Sequence, residues 1–161
     1  MKTELEIRPA QEADVPLLLS FIRKIAVYEK LSHEVKADET LLRRAFFGPK
    51  PVAEAVLGYC AGKPAAFAVF FHNFSTFTGK PGLYLEDLYV DEEHRGKGFG
   101  KTLLLYLARL AGERGCGRFE WSVLDWNTPA IEFYKNLGAV PMSGWTVFRV
   151  AGEALEKLSN L

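Results

Sequence analysis

Two adjacent carboxylates, Glu86 and Asp87, sit inside Leu83–Val90, a run that is otherwise apolar. Successive side chains of a strand point to opposite faces, so a regular strand sends one acid to each side of its sheet. A sheet covered by helices holds little water, and a carboxylate there needs a hydrogen-bond partner or a cavity to line. A surface edge strand is the plainer alternative. The chain then enters Arg95-Gly96-Lys97-Gly98-Phe99-Gly100, between this strand and an amphipathic helix. A helix N-terminus leaves N–H groups unpaired and carries partial positive charge. Glycines let that backbone approach an anion, and Arg95 and Lys97 add charge, so the junction suits a diphosphate. In Trp121–Gly138, Asn127 stands between a strand and a helix, where its amide can cap the helix or bond a ligand. Tyr134 shares a helical face with Ala130, Phe133 and Leu137, a placement that also suits a core tyrosine.

The glycine loop fits neither of two common phosphate-binding patterns. A dinucleotide fold expects an acid about 20 residues later at a strand end, where this chain has Arg118, Phe119 and Glu120 at a strand start. A Walker loop needs Gly-Lys-Ser/Thr after four spacers, and none is present.

The elements that must carry these groups read from the hydrophobic pattern. Leu5–Arg8 reads as a strand, and a helix follows through Val15, Leu18, Leu19, Ile22, Ile25 and Ala26. Asp38 reads as the cap of a second helix through Phe46, stopped by Gly48-Pro49. Val52–Tyr59 and Ala65–His72 flank the turn Ala61-Gly62-Lys63-Pro64 as a hairpin, and Tyr84–Val90 is the third strand of the block. A helix from about Gly98 to Arg114 leads to a strand at Phe119–Leu124. Pro129–Leu137 reads as helix, Val147–Val150 as a last strand and Gly152–Leu161 as helix. The order is β-αα-βββ-α-β-α-β(β), an α/β (α+β) chain with six to seven strands in one mixed sheet and helices on both faces. The crossover from Tyr84–Val90 to Phe119–Leu124 should be parallel.

Composition narrows the class of function. The 161 residues balance 20 Lys+Arg against 20 Asp+Glu, with 48% hydrophobic and 25% charged residues, as in an ordinary globular protein. One domain, residues 1–161, is the expectation at this length. A net charge of zero argues against electrostatic nucleic-acid binding. Cys60 and Cys116 form no CxxC pair, and His33, His72 and His94 form no recognisable ligand set, so no metal is expected. The start lacks the apolar core of a signal peptide, and the longest apolar run, Ala65–Phe71, is far short of a membrane helix. A cytoplasmic, reducing location is the expectation, with no membrane partner.

Taken together, R-x-x-G-x-G at Arg95–Gly100 and N-x-x-A-x-x-F-Y-x-x-x-G-A at Asn127–Ala139 resemble the GNAT acetyltransferase superfamily. Within it the chain is similar to the spermidine/spermine and thialysine acetyltransferases, on Ile7–Ala10, Tyr28-Glu29, Tyr84–Asp87, Val123–Asn127, Phe133–Lys135 and Gly144-Trp145. Val123–Asn127 and Gly152–Ala154 lean to the thialysine branch. The polyamine enzymes carry an acid just before Gly-Trp, where this chain has Ser143.

The resemblance implies a GNAT-type, mostly antiparallel sheet and direct transfer of the acetyl group of acetyl-CoA, the cosubstrate, to a small-molecule primary amine. Residue by residue, it implies that Glu86 draws the amine proton and that Tyr134 protonates the departing thiolate. Leu88, Tyr89 and Val90 match the strand that binds the pantetheine arm. Arg95, Gly96, Lys97, Gly98, Phe99, Gly100 and Lys101 match the diphosphate loop, and Asn127 and Ala130 belong to its second motif. Tyr28, Glu29 and Asp87 join Glu86 on the amine side. A homodimer sharing C-terminal strands is also implied.

The residue types suit this chemistry. An aliphatic ammonium with pKa near 10.4 is almost never a nucleophile at pH 7, so a partly desolvated Glu86 with a raised pKa is expected to start its deprotonation. Two other readings stay open: a protein N-acetyltransferase, and a non-catalytic acyl-CoA-binding module that would not need Glu86 and Tyr134 together.

Overall fold

Alternation and turn chemistry produce a five-stranded sheet in the order β1-β2-β3-β4-β5. The computed structural model describes residues 4–161. The chain divides into two compact units, Met1–Ser122 and Val123–Leu161. The first holds β1 (Leu5–Pro9), α1 (Val15–Tyr28), α2 (Glu39–Phe47), β2 (Glu54–Cys60), β3 (Lys63–Ser75), β4 (Lys80–Val90), α3 (Phe99–Glu113) and β5 (Arg118–Trp121). The second holds α4 (Thr128–Asn136) and α5 (Glu153–Ser159).

Local signals account for most boundaries. Asp38 caps α2, its Oδ1 accepting from the Leu41 N–H at 2.8 Å. Ala61 and Gly62 both take positive φ, 50° and 75°, as a two-residue hairpin between twisted strands requires. Three of the four strand pairs are antiparallel; β4 and β5 are parallel, as the crossover predicts. The sheet is thus mixed and mostly antiparallel.

Helices cover both faces of that sheet. Leu18, Phe21 and Ile25 of α1 form a core with Ala55, Leu57, Phe67, Val69 and Tyr89, in which the Phe21 and Phe67 rings stack at 5.1 Å. On β4, Tyr89 belongs to this α1 face. Its neighbours Leu88 and Val90 face Gly100 of α3, where an added Cβ would lie 3.8 and 3.9 Å from them. Alternation along one strand therefore places α1 and α3 on opposite sides.

The expectation of six to seven strands is corrected to five among the described residues. Val147–Val150 has strand composition but joins no ladder, and a strand exists only through its hydrogen-bonded partner. The second correction concerns register. Val69 pairs with Asp87 and Phe70 with Leu85, so Glu86 is an extra residue opposite no partner, a β-bulge.

Candidate active site

That bulge undoes the simple alternation of Glu86 and Asp87. In a regular strand they would diverge to opposite faces; an inserted residue bends the strand and re-aims its side chain. The two carboxylates instead feel one another, and Glu29 joins them. Burial first, then the negative charges of Glu86 and Glu29, push the Asp87 carboxyl up to about 6. Glu29 is also raised, by burial and then by Glu86. Glu86 itself is exposed, so the desolvated acid expected at that position is its neighbour Asp87.

Glu29 arrives from the end of α1, where its N–H closes the helix onto Ile25 and Val27 carbonyls. A helix C-terminus carries partial negative charge, which adds to the field of the three acids. Tyr28, the last residue of α1, is 43% exposed.

On the far side of the bulge, β4 changes neighbours. Its pairing with β5 runs from Gly82↔Arg118 to Leu85↔Trp121 and goes no further. The Asp91 N–H bonds the Ala65 carbonyl of β3. Backbone groups alternate sides along a strand, so Leu88 and Val90 direct theirs away from β3, to the edge that β5 leaves open. Tyr89, between them, turns its backbone toward β3 and its ring into the core, 6% exposed.

A short 3-10 turn, Glu92–His94, delivers the chain to the glycine loop. Gly96 and Gly98 both lie in the left-handed region, at φ 75° and 81°, and nothing stands within 4 Å of an added Cβ at either. Conformation, not crowding, therefore demands glycine, and the space above the loop is open. Gly98 is the N-cap of the 15-residue α3, so the unpaired N–H groups of that helix face outward here. Lys97 and Lys101 are exposed beside them. This is a cradle that fits a diphosphate. Phe99 supplies only backbone, because its side chain packs with Cys60 and Ala65. Beneath the loop His94 is buried and stacks on Phe99 at 6.3 Å.

Arg95 does something the sequence did not indicate. Its Nε donates to the Val90 carbonyl at 3.1 Å. Its guanidinium lies 5.1 Å from the Tyr28 ring centre and 5.4 Å from that of Tyr89. Lys24, one turn before Tyr28, forms an ion pair with Asp91. No spacing rule reveals the Lys24–Asp91 or the Arg95–Tyr28 contact, since each joins residues 67 positions apart.

The remaining residues lie in the second unit. Asn127 caps α4, its Oδ1 accepting from the Ala130 N–H at 3.4 Å. Tyr134 packs against Phe133 with ring centres 5.5 Å apart. No residue of α4 is fully buried, so Tyr134 is half-exposed rather than a core tyrosine. Among the described residues no cluster of three His, Cys, Asp or Glu suits a metal ion, and no helix is long and apolar enough to cross a membrane.

Comparison with known proteins agrees with this geometry. Residues 21–139 match the model of the Acetyltransferase (GNAT) family. Thialysine N-epsilon-acetyltransferase of Sus scrofa is 38% identical over 96% of this chain and 96% of its own. L-ornithine N5-acetyltransferase of Arabidopsis thaliana is 31% identical over 96% of this chain and 88% of its own. Among solved structures, an integron cassette protein from the mobile metagenome of V. cholerae superposes with a TM-score of 0.82, at 25% identity, covering 100% of this chain and 99% of that one. With the loop, the open strand edge and both sequence motifs in agreement, the chain belongs to the Acetyltransferase (GNAT) family and is an N-acetyltransferase.

Proposed function

We propose that this chain transfers the acetyl group of acetyl-CoA to the primary amine of a small, cationic amino acid or short diamine. The observation that carries this reading is the acidic field at the β4 bulge, where Glu86 and Glu29 lie near enough to raise the Asp87 carboxyl. Such a field suits an ammonium. The relatives named for thialysine and L-ornithine act on amino acids carrying a side-chain amine, which supports the same class.

The residues divide the work as follows. Backbone N–H groups of Gly96–Lys101, with Lys97 and Lys101, hold the diphosphate; Leu88 and Val90 hold the pantetheine arm along the open edge. Asn127 and Ala130 belong to the second cofactor motif. Tyr28 packs on the aliphatic stem of the amine. Glu86, aided by Asp87, accepts the ammonium proton. As the new C–N bond forms the nitrogen releases its second proton to solvent, and as the thioester C–S bond breaks Tyr134 gives its proton to the departing thiolate and recovers one from solvent. A tyrosine near pKa 10 matches a thiolate whose conjugate acid lies near 8.5. Neither cysteine is needed as a nucleophile.

The second unit also supports a homodimer. Val140, Met142, Trp145, Val147 and Phe148 are all more than 60% exposed, and an extended apolar run without a ladder suits pairing with a second copy. Free Cys60 and Cys116 suit a reducing, cytoplasmic location.

Incubating the protein with acetyl-CoA and a panel of amines and peptides, while following free thiol, tests the reading. Thialysine, lysine-like amines and short diamines should exceed spermine in kcat/KM. Ser143, where an acid for a distant second ammonium is missing, is worth about 5- to 150-fold in that ranking. Tyr134→Phe should lower kcat by about 10²- to 10⁴-fold with little change in Tm. Spermine or a peptide at the head of the ranking would overturn the substrate class.

A further inference from the structure

The glycine loop and the end of α1 are tied together at two rungs. Lys24 of α1 pairs with Asp91, just past β4, and Tyr28, one helical turn later, lies under Arg95, four residues beyond Asp91. The Arg95 guanidinium is fixed from three directions: the Val90 carbonyl takes its Nε at 3.1 Å, Tyr89 offers a ring buried in the core, and Tyr28 offers a ring at the surface. Glu92 adds a loose ion pair at 3.9 Å. The loop arginine therefore folds back along β4 toward α1.

We propose that Arg95 is a positioning residue for the acetyl acceptor rather than a ligand of the diphosphate: it sets the Tyr28 ring, and with it Glu29, against the acids of β4. The inference rests on the reading that Tyr28 and Glu29 line the amine side of the site. A planar guanidinium held between two aromatic rings is stiffer than an ammonium on a flexible stem, so the ring is held in one orientation. The loop and the amine wall then move as one piece, and the orientation of Tyr28 becomes a determinant of acceptor choice.

The test compares Arg95→Gln and Arg95→Lys with the native chain by three readouts. Calorimetry with acetyl-CoA alone gives its Kd, steady-state assay with thialysine gives the amine KM, and hydrogen exchange reports on the amides of Glu29, Lys30 and Leu31. Those amides bond the carbonyls of Ile25, Val27 and Ala26 and so report on the end of α1. In Arg95→Gln the amine KM should rise and these amides should exchange faster, each by about 3- to 30-fold, while the acetyl-CoA Kd stays within about twofold. Arg95→Lys, which keeps a cation, should recover part of both effects. A tenfold weaker acetyl-CoA Kd in Arg95→Gln, with amine KM and exchange unchanged, would overturn the proposal and return the guanidinium to the diphosphate. Faster exchange in a chain that acetylates no amine would keep the grip on Tyr28 but remove the acceptor role with the reading beneath it.

Discussion

Helices α1 and α3 present opposite ends to the same stretch of β4, and their residues differ accordingly. The C-terminus of α1, partially negative, brings Glu29 to Glu86 and Asp87. The N-terminus of α3, partially positive, brings two left-handed glycines with Lys97 and Lys101. One end concentrates carboxylates, and burial with the neighbouring acids raises Asp87 and Glu29; the other leaves N–H groups and cations facing open space. The lesson is one of sorting: a chain with zero net charge creates two fields of opposite sign on either side of one strand. A cationic acceptor and an anionic donor are thereby drawn to separate places, with the strand between them.

Asp87 carries the largest expected effect on the acidic side. Its folded carboxyl keeps a proton up to about pH 6, whereas the unfolded chain releases it near 3.9. The folded state therefore holds the proton more tightly, and stability is lost as pH rises between those values. Asp87→Asn should raise stability at pH 8 by up to about 3 kcal/mol, at about 1.4 kcal/mol per pH unit, with no gain at pH 4. Urea denaturation at the two pH values measures this, and an equal gain at both would remove the electrostatic cause.

At the opposite end the effect is steric. Gly98→Val forces a β-branched residue to φ 81°, at about 1–2 kcal/mol, and distorts the first N–H groups of α3. Acetyl-CoA should bind about tenfold more weakly, while the amine KM stays near native. Calorimetry checks the first and steady-state kinetics the second; unchanged acetyl-CoA affinity in a folded variant would sever the loop from the cofactor. Smallest is Lys97→Ala, which removes an exposed cation whose pairing with an anion is worth roughly 0.2–1 kcal/mol. Acetyl-CoA affinity should fall by roughly two- to fivefold at low salt and by less at high salt.

Much of this was legible in the sequence, and the missing parts share a cause. Periodicity and capping residues located the five α-helices of the described residues; Asp38 and Pro129 marked helix starts, and the Ala61-Gly62 turn marked strand ends, to within a few positions. The bulge at Glu86 was not legible. Leu83–Val90 reads as one uninterrupted strand, and a register slip depends on which residues of β3 lie opposite. The grip of Arg95 on Tyr28 depends in the same way on α1 and the loop meeting in space. Val147–Val150 shows the reverse error: its composition favours a strand, but composition supplies no partner. Local signals gave local elements; the details that join remote segments came only from the fold.

If the acids at the bulge receive the cationic amine, a ratio of pH profiles shows it. The kcat/KM for thialysine should be measured from pH 5 to 8 for the native protein and for Asp87→Asn. Titration of the amine itself is common to both and cancels in the ratio, leaving the enzyme's own groups. The native advantage should grow as pH rises through about 6, where Asp87 ionises, and level off above it. A ratio that stays flat from pH 5 to 8 would contradict this role of the acids.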